Sequence, residues 1–131
     1  MGLTKEERSI IVSYRIERAK ISLEELQGVV GLKYWNLAAN RMYYSVYYAA
    51  SALLISRGHD VKTHSGVMAL LNQYFVKTGI LTIEDSRLMS RLFQMRQTGD
   101  YSDCFSWSSD DVLPMIPPTE ELVARLTSFC K

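Results

Sequence analysis

Apolar side chains recur near the start of the chain at steps of three and four. Ile11, Tyr14, Ile16, Ala19, Leu23 and Leu26 form one stripe, while Arg8, Arg15, Glu17, Arg18, Glu24 and Glu25 fall mostly off it. Ahead of the stripe, Thr4-Lys5-Glu6-Glu7 has the S/T-x-x-E spacing of a capping box. Gly28 and Gly31 bracket Val29-Val30 behind it, so a first helix is expected from about Lys5 to Val29. A second long helix is expected from Lys33 to about Ser56, with a near-heptad seam of Trp35, Ala39, Met42, Val46, Ala49 and Leu53. Its reverse face carries Tyr44, Tyr47, Tyr48 and Ile55 instead of charge. A helix apolar or aromatic nearly all round is buried on more than one side. This one is therefore the central element, or it turns one face to a second subunit. Small residues from Ala38 to Ala52 allow close helix approach.

Gly58 supplies the left-handed residue that stops this helix. Thr63 or Ser65 caps a third, running to about Lys77 with Val67, Leu70, Leu71, Tyr74 and Phe75, and Gly79 closes it. Thr82-Ile83-Glu84-Asp85 caps a fourth, which carries Leu88, Leu92, Phe93 and Met95 to about Thr98. An ordered loop is expected over 103–109, and Ser108 or Ser109 opens a short helix. Pro114 and the pair Pro117-Pro118 break the run before Thr119-Glu120-Glu121 starts a last helix ending near Phe129. No strand alternation and no internal repeat is visible. The expected class is all-α: an antiparallel up-and-down bundle of four main helices plus a broken C-terminal helix.

Composition narrows the functional classes. At 131 residues the chain, 1–131, is expected to be a single helical domain whose core, drawn from 47% hydrophobic residues, holds it without disulfides or metal. A net charge of +1 gives no global basic field. Cys104 and Cys130 belong to no Cys/His cluster, so they are read as free thiols with no metal site and no cofactor. The charged N-terminus is unlike a secretion signal, and the apolar stretch from Met42 to Ile55 is short of the ~20 residues that cross a bilayer. No membrane association and a cytoplasmic location are expected.

Charge is uneven. Lys62, Lys77, Arg87, Arg91 and Arg96 outnumber Glu84 and Asp85 between Val61 and Arg96, whereas acids dominate from Gln97 onward. Arg87, Arg91 and Arg96 suggest a basic edge on the fourth helix, and the plainer reading is a solvated face. Arg96 and Asp100 are four apart, an ion pair worth ~0.3–0.5 kcal/mol when exposed. Alternatively the planar fork of Arg96 holds a phosphate, with Tyr101 orienting or stacking on it. Lys62-Thr63-His64-Ser65-Gly66, at a helix start, offers backbone N–H groups, hydroxyls and a lysine for a small anion. His64 there is read either as a capping or packing residue or as part of that site, and His59 as an exposed turn residue. Tyr43, Tyr44, Tyr47 and Tyr48 read as core and interface before they read as a nucleic-acid stacking platform. Phosphate loops, zinc-protease motifs and nucleophile elbows are lacking.

Four segments, in this order, resemble the HEPN family, above all its small stand-alone prokaryotic branch. They are Asn40-Arg41-Met42-Tyr43-Tyr44, Lys62-Thr63-His64-Ser65-Gly66-Val67, Phe75-Val76-Lys77-Thr78-Gly79, and Arg96 followed by Gly99-Asp100-Tyr101. The resemblance covers roughly residues 5 to 130. It implies a helical homodimer that binds RNA or a nucleotide and works with a minimal nucleotidyltransferase in a toxin–antitoxin-like pair. The ligand-binding residues are then expected among Arg96, Asp100, Tyr101, His64, Lys62 and Thr63. The family's active ribonucleases carry a histidine four to six residues after the arginine. Here Arg96 stands at the arginine position and Tyr101 where the histidine is expected, and a tyrosine of pKa ~10 is a poor base at neutral pH. The resemblance thus points first to a binding module. An endoribonuclease toxin independent of metal, with Arg96 and Tyr101 as candidate catalytic residues, is the alternative, and a dimerising scaffold is the second. Tyr101 as acceptor of a nucleotidyl group from the partner enzyme is a further implication of the family.

Overall fold

The structure is a computed structural model that describes residues 2–101 and 106–130. Cys104 and the first three residues of the loop expected over 103–109 lie outside the described residues. In chain order come α1 (Lys5–Gly31), α2 (Trp35–Ser56), α3 (His64–Leu71) running into a π-helical turn (Asn72–Val76), α4 (Ile83–Tyr101), α5 (Ser109–Val112), a 3-10 turn (Leu113–Met115) and α6 (Ile116–Ser128). No strand occurs among the described residues.

The caps are the ones the sequence offers. Thr4 and Glu7 exchange backbone bonds at the head of α1, at 3.0 and 2.8 Å. Thr63 Oγ1 accepts from Gly66 N at the head of α3, and Thr82 and Asp85 form a reciprocal box at the head of α4. Gly58 sits at φ +90°, where a Cβ would be strained.

Cross-helix pairs give the topology. Glu25 meets Arg41, Arg18 lies over Tyr48 and Arg15 donates to Ser51, so numbers fall along α1 as they rise along α2. Asn36 and Asn40 at the head of α2 reach Gly99 and Asp100 at the tail of α4, a second antiparallel pair. Asp85 near the head of α4 binds Arg125 near the tail of α6 through two oxygens, at 2.6 and 2.8 Å. The result is the up-and-down bundle expected, with α2 at its centre and packed on α1, α3, α4, α5 and α6. Ala39, Met42, Val46, Ala49 and Leu53 of its seam are buried, with Trp35 half-buried.

Several local expectations differ from the structure. Tyr14, placed on the α1 stripe, is 63% exposed, and the buried face is Val12, Ala19, Ser22 and Leu26, one residue round the helix. Tyr74 is also exposed, because the π turn displaces the α3 register. The last helix begins at Ile116, three residues earlier than expected. Pro117 and Pro118 lie in its first turn, where the backbone N–H has no intrahelical partner to lose.

Candidate functional site

The fourth helix looks polar at its C-terminal end, yet Arg96 is only 8% exposed. Nine residues separate it from Arg87, which puts the two on opposite sides of the helix. The basic edge of Arg87, Arg91 and Arg96 is therefore not continuous: Arg91 stays at the surface over the Trp107 ring, while Arg96 turns inward.

Its guanidinium is caged by aromatic rings. The carbon lies 5.0 Å from the centroid of Tyr43, 5.6 Å from Tyr44, and 5.8 Å from both Phe93 and Tyr101. The negative ring faces offset part of the cost of taking the cation out of water. Five N–H donors are available on a guanidinium. Arg96 spends one, from Nη1 to Tyr44 Oη at 3.3 Å, and keeps a loose ion pair with Asp100 at 3.9 Å. Its buried Nε has no hydrogen-bond partner among the described residues.

Around this cage the acceptors are already committed. Asn40 donates to Asp100 Oδ2 at 2.9 Å and accepts twice from Arg41, which in turn holds Glu25 at 2.7 Å. One chain of contacts therefore joins α1, α2 and α4. Trp107 closes the end of α4: its indole donates to Met95 O, its backbone to Asn36, and its ring sits 3.2 Å from where a Gly99 Cβ would stand.

His64 enters the same cluster from the start of α3. Its ring stacks on Tyr47 at 4.3 Å and on Tyr43 at 5.6 Å, and Nδ1 shares a short hydrogen bond with Tyr43 Oη. Burial, then the nearby Arg96 charge, hold the imidazole below its ordinary pKa. Burial pushes the Tyr43 phenol up, against the pull of Arg96, so it stays protonated. The site at neutral pH thus holds a neutral imidazole, the protonated Tyr43 phenol and one under-used cation.

The candidate residues fall into two groups. Arg96 and His64 converge on the Tyr43–Tyr44 rings, and Asp100 and Tyr101 join them through Arg96, with Tyr101 71% exposed at the rim. Lys62 instead lines a separate groove with Glu7, Arg15, His59 and Asp60. Thr63 spends its hydroxyl on the α3 cap, so the segment 62–66 is not one anion cradle. Sequence reasoning did not place Asn36, Asn40, Tyr43, Tyr44 and Trp107 among the site residues. Position offered one clue: Asn40, Tyr44 and Tyr47 lie three and four apart on one face of α2. Tyr43 is buried, while Tyr44, Tyr47 and Tyr48 are half-buried and pack against the core. Cys130 is half-buried beside Leu126 O, and burial pushes its thiol up. Among the described residues there is no cluster of metal-binding side chains, and no helix is long and apolar enough to cross a membrane.

Comparison with known proteins gives this arrangement a context. The family model described as HEPN domain matches residues 12–128. A UPF0332 protein of Thermotoga maritima is 34% identical over 87% of this chain and 86% of its own length. A protein of Methanocaldococcus jannaschii, whose name marks it as a candidate toxin, is 35% identical over 66% of this chain and 58% of its own. Among solved structures, TT1696 from Thermus thermophilus superposes with a TM-score of 0.69, covering 91% of this chain and 94% of that one. At 17% identity that likeness concerns the fold alone.

Proposed function

For a chain that belongs to the HEPN domain family, as this one does, we propose a binding module whose ligand is the phosphate of a nucleotide or RNA. One observation carries the reading: Arg96 is buried in an aromatic cage, makes one internal hydrogen bond and leaves Nε without a partner among the described residues. A phosphate meets that fork with two parallel charge-assisted bonds and supplies the acceptors that the protein withholds. Asp100, held by Asn40, sets the guanidinium's position, and Tyr101 at the rim stacks on a base. A minimal nucleotidyltransferase partner and a homodimer are part of the same reading and rest on the family. The toxin name of the Methanocaldococcus relatives supports a toxin–antitoxin-like setting.

A second reading, endoribonuclease activity without metal, is favoured by His64. Besides Tyr101 at the position of the family's histidine, His64 brings a neutral imidazole into contact with the same rings as Arg96.

RNA binding and RNA cleavage by the purified protein and by Arg96→Ala, in EDTA at two salt concentrations, separate these readings. Salt-dependent binding lost in Arg96→Ala, without cleavage, is the expected result. Cleavage abolished by Arg96→Ala and by His64→Ala makes the protein a ribonuclease. No binding by the wild-type protein returns Arg96 to its pairing with Asp100.

A further inference from the structure

Beside Arg96, the cluster holds a second group whose chemistry is fixed by its surroundings. His64 is the first residue of α3, set in place by the Thr63 cap. Tyr47 stacks on its ring at 4.3 Å and 10°, and Tyr44 meets it edge-on at 5.9 Å and 87°. These contacts fix the plane of the imidazole. They do not tell one edge of the ring from the other, so a half-turn about Cβ–Cγ would leave both intact. The bond between Nδ1 and Tyr43 Oη does tell them apart.

The direction of that bond follows from counting donors and acceptors. Tyr43 is 4% exposed, and its Oη meets no other acceptor among the described residues. A proton on Nδ1 would point at Oη and leave the phenol O–H buried without an acceptor, an unfavourable state. With Nδ1 bare, the phenol donates to it and both groups are satisfied. Arg96 favours this second arrangement. Its guanidinium, 5.0 Å from the centre of the Tyr43 ring, makes the phenol a stronger donor.

A neutral imidazole with a bare Nδ1 carries its proton on Nε2. That nitrogen has no hydrogen-bond partner among the described residues, and it is not sealed from solvent. A histidine poised as a base is arranged the other way round, with Nδ1–H donating to a carboxylate or carbonyl and Nε2 bare. His64 therefore presents a donor where a base would present a lone pair.

We propose that Tyr43 is a positioning residue that locks His64 as the Nε2–H tautomer, so that an anion at the site meets two donors from separate helices, the Arg96 fork and His64 Nε2–H. This rests on the phosphate-binding reading of Arg96 and deepens it: the charge comes from α4 and a neutral donor from α3. The same lock weighs against His64 as the base of a ribonuclease, because its lone pair is already engaged.

The tautomer is read on the free protein and the donor role on a ligand. Long-range nitrogen–proton correlation spectra of the histidine rings, recorded above the His64 titration, separate a bare nitrogen from a protonated one. Loss of signals in His64→Gln identifies those of His64. Wild type should show bare Nδ1 and protonated Nε2. Tyr43→Phe removes one oxygen and keeps the ring beside Arg96, Tyr44 and Tyr47. Its two His64 nitrogen signals should move towards each other as the Nδ1–H form becomes populated. Adenosine monophosphate is then titrated into each protein, with folding checked by circular dichroism. Tyr43→Phe and His64→Ala should weaken binding roughly three- to tenfold, the loss of one hydrogen bond. His64→Gln, whose amide N–H reaches the place of Nε2, should recover most of that loss.

A proton on Nδ1 in the wild type, or an unmoved pattern in Tyr43→Phe, overturns the lock. His64→Gln as deficient as His64→Ala overturns the donor role. Unchanged affinity in His64→Ala, with binding lost in Arg96→Ala, overturns it too and leaves the phosphate reading standing. Undiminished binding by Arg96→Ala defeats the phosphate reading and the donor role with it, while the tautomer stands or falls on the free protein.

Discussion

Arg96 is held at a cost. Desolvating a guanidinium and leaving its buried Nε without a partner among the described residues is unfavourable by several kcal/mol, of which four neighbouring rings return only part. A residue kept for stability would not be chosen this way. Arg96→Met, similar in volume and free of donors, should therefore leave the thermal midpoint unchanged or raise it while ligand affinity falls at least tenfold. Thermal unfolding beside a binding isotherm checks both halves; a stability loss above about 3 kcal/mol would make Arg96 a structural residue instead. His64 provides a second check at this scale. Burial and Arg96 both lower its pKa, with Tyr43, Tyr44 and Tyr47 the other groups around it, so NMR titration should find it below ~6.5. Arg96→Ala should move it upward. Because the folded state disfavours the charged imidazole, His64 costs stability as pH falls through the unfolded value and costs nothing above it.

At the scale of elements, caps and end-pairs place the site. Thr63 fixes the first turn of α3, and that turn carries His64 onto Tyr47. Thr63→Ala should cost about 1 kcal/mol and weaken the His64 stacking, seen as a smaller pKa displacement. If Thr63 instead met the ligand directly, affinity would fall with the His64 titration unmoved. At the head of α4, the Arg125 guanidinium holds the buried Asp85 carboxyl below the usual carboxylate range, helped by the Thr82 backbone N–H. The unfolded carboxyl titrates near ~3.9, so this pair stabilises fully above that value and is lost as pH falls through the lower folded one. Asp85→Asn should cost about 2 kcal/mol at neutral pH and flatten the acid limb of an unfolding curve measured in urea.

The helices of this molecule were legible because their signals are local. The α1 stripe, the small-residue run of α2 and the threonine caps each lie within a few turns of chain. The start of α6 differs from the expected one because a proline that breaks a helix interior is harmless in its first turn. The π turn after Leu71 left no pattern, and it carried Tyr74 out of the core.

On the scale of the whole molecule, the bundle turns scattered residues into one site. Arg96 comes from α4, His64 from α3, Asn40 and the tyrosines from α2, and Glu25 completes the polar chain from α1. Arg96, Asp100 and Tyr101 were visible as a local motif, but no periodicity reveals that Arg96 is buried or that His64 joins it across the fold. Those facts belong to the antiparallel packing of α2 on α4 and to the return of the chain after Gly58. The all-α bundle itself followed from the length, the apolar faces and the absence of strand alternation. If the family's homodimer forms here, light scattering should give twice the 15.0 kDa of the chain, and a clean monomer would leave each site to act alone.

The central claim is that the unspent donors of Arg96 receive a phosphate. The most direct measurement follows the arginine Nε–H signals in a nitrogen–proton correlation spectrum as a nucleoside monophosphate or a short RNA is added, with Arg96→Lys identifying the Arg96 signal. Nε is buried and lacks a partner among the described residues, so its signal should move downfield and saturate with the same affinity as the binding isotherm. Saturable binding that leaves the Arg96 signal where it was, while other arginines shift, would contradict the account.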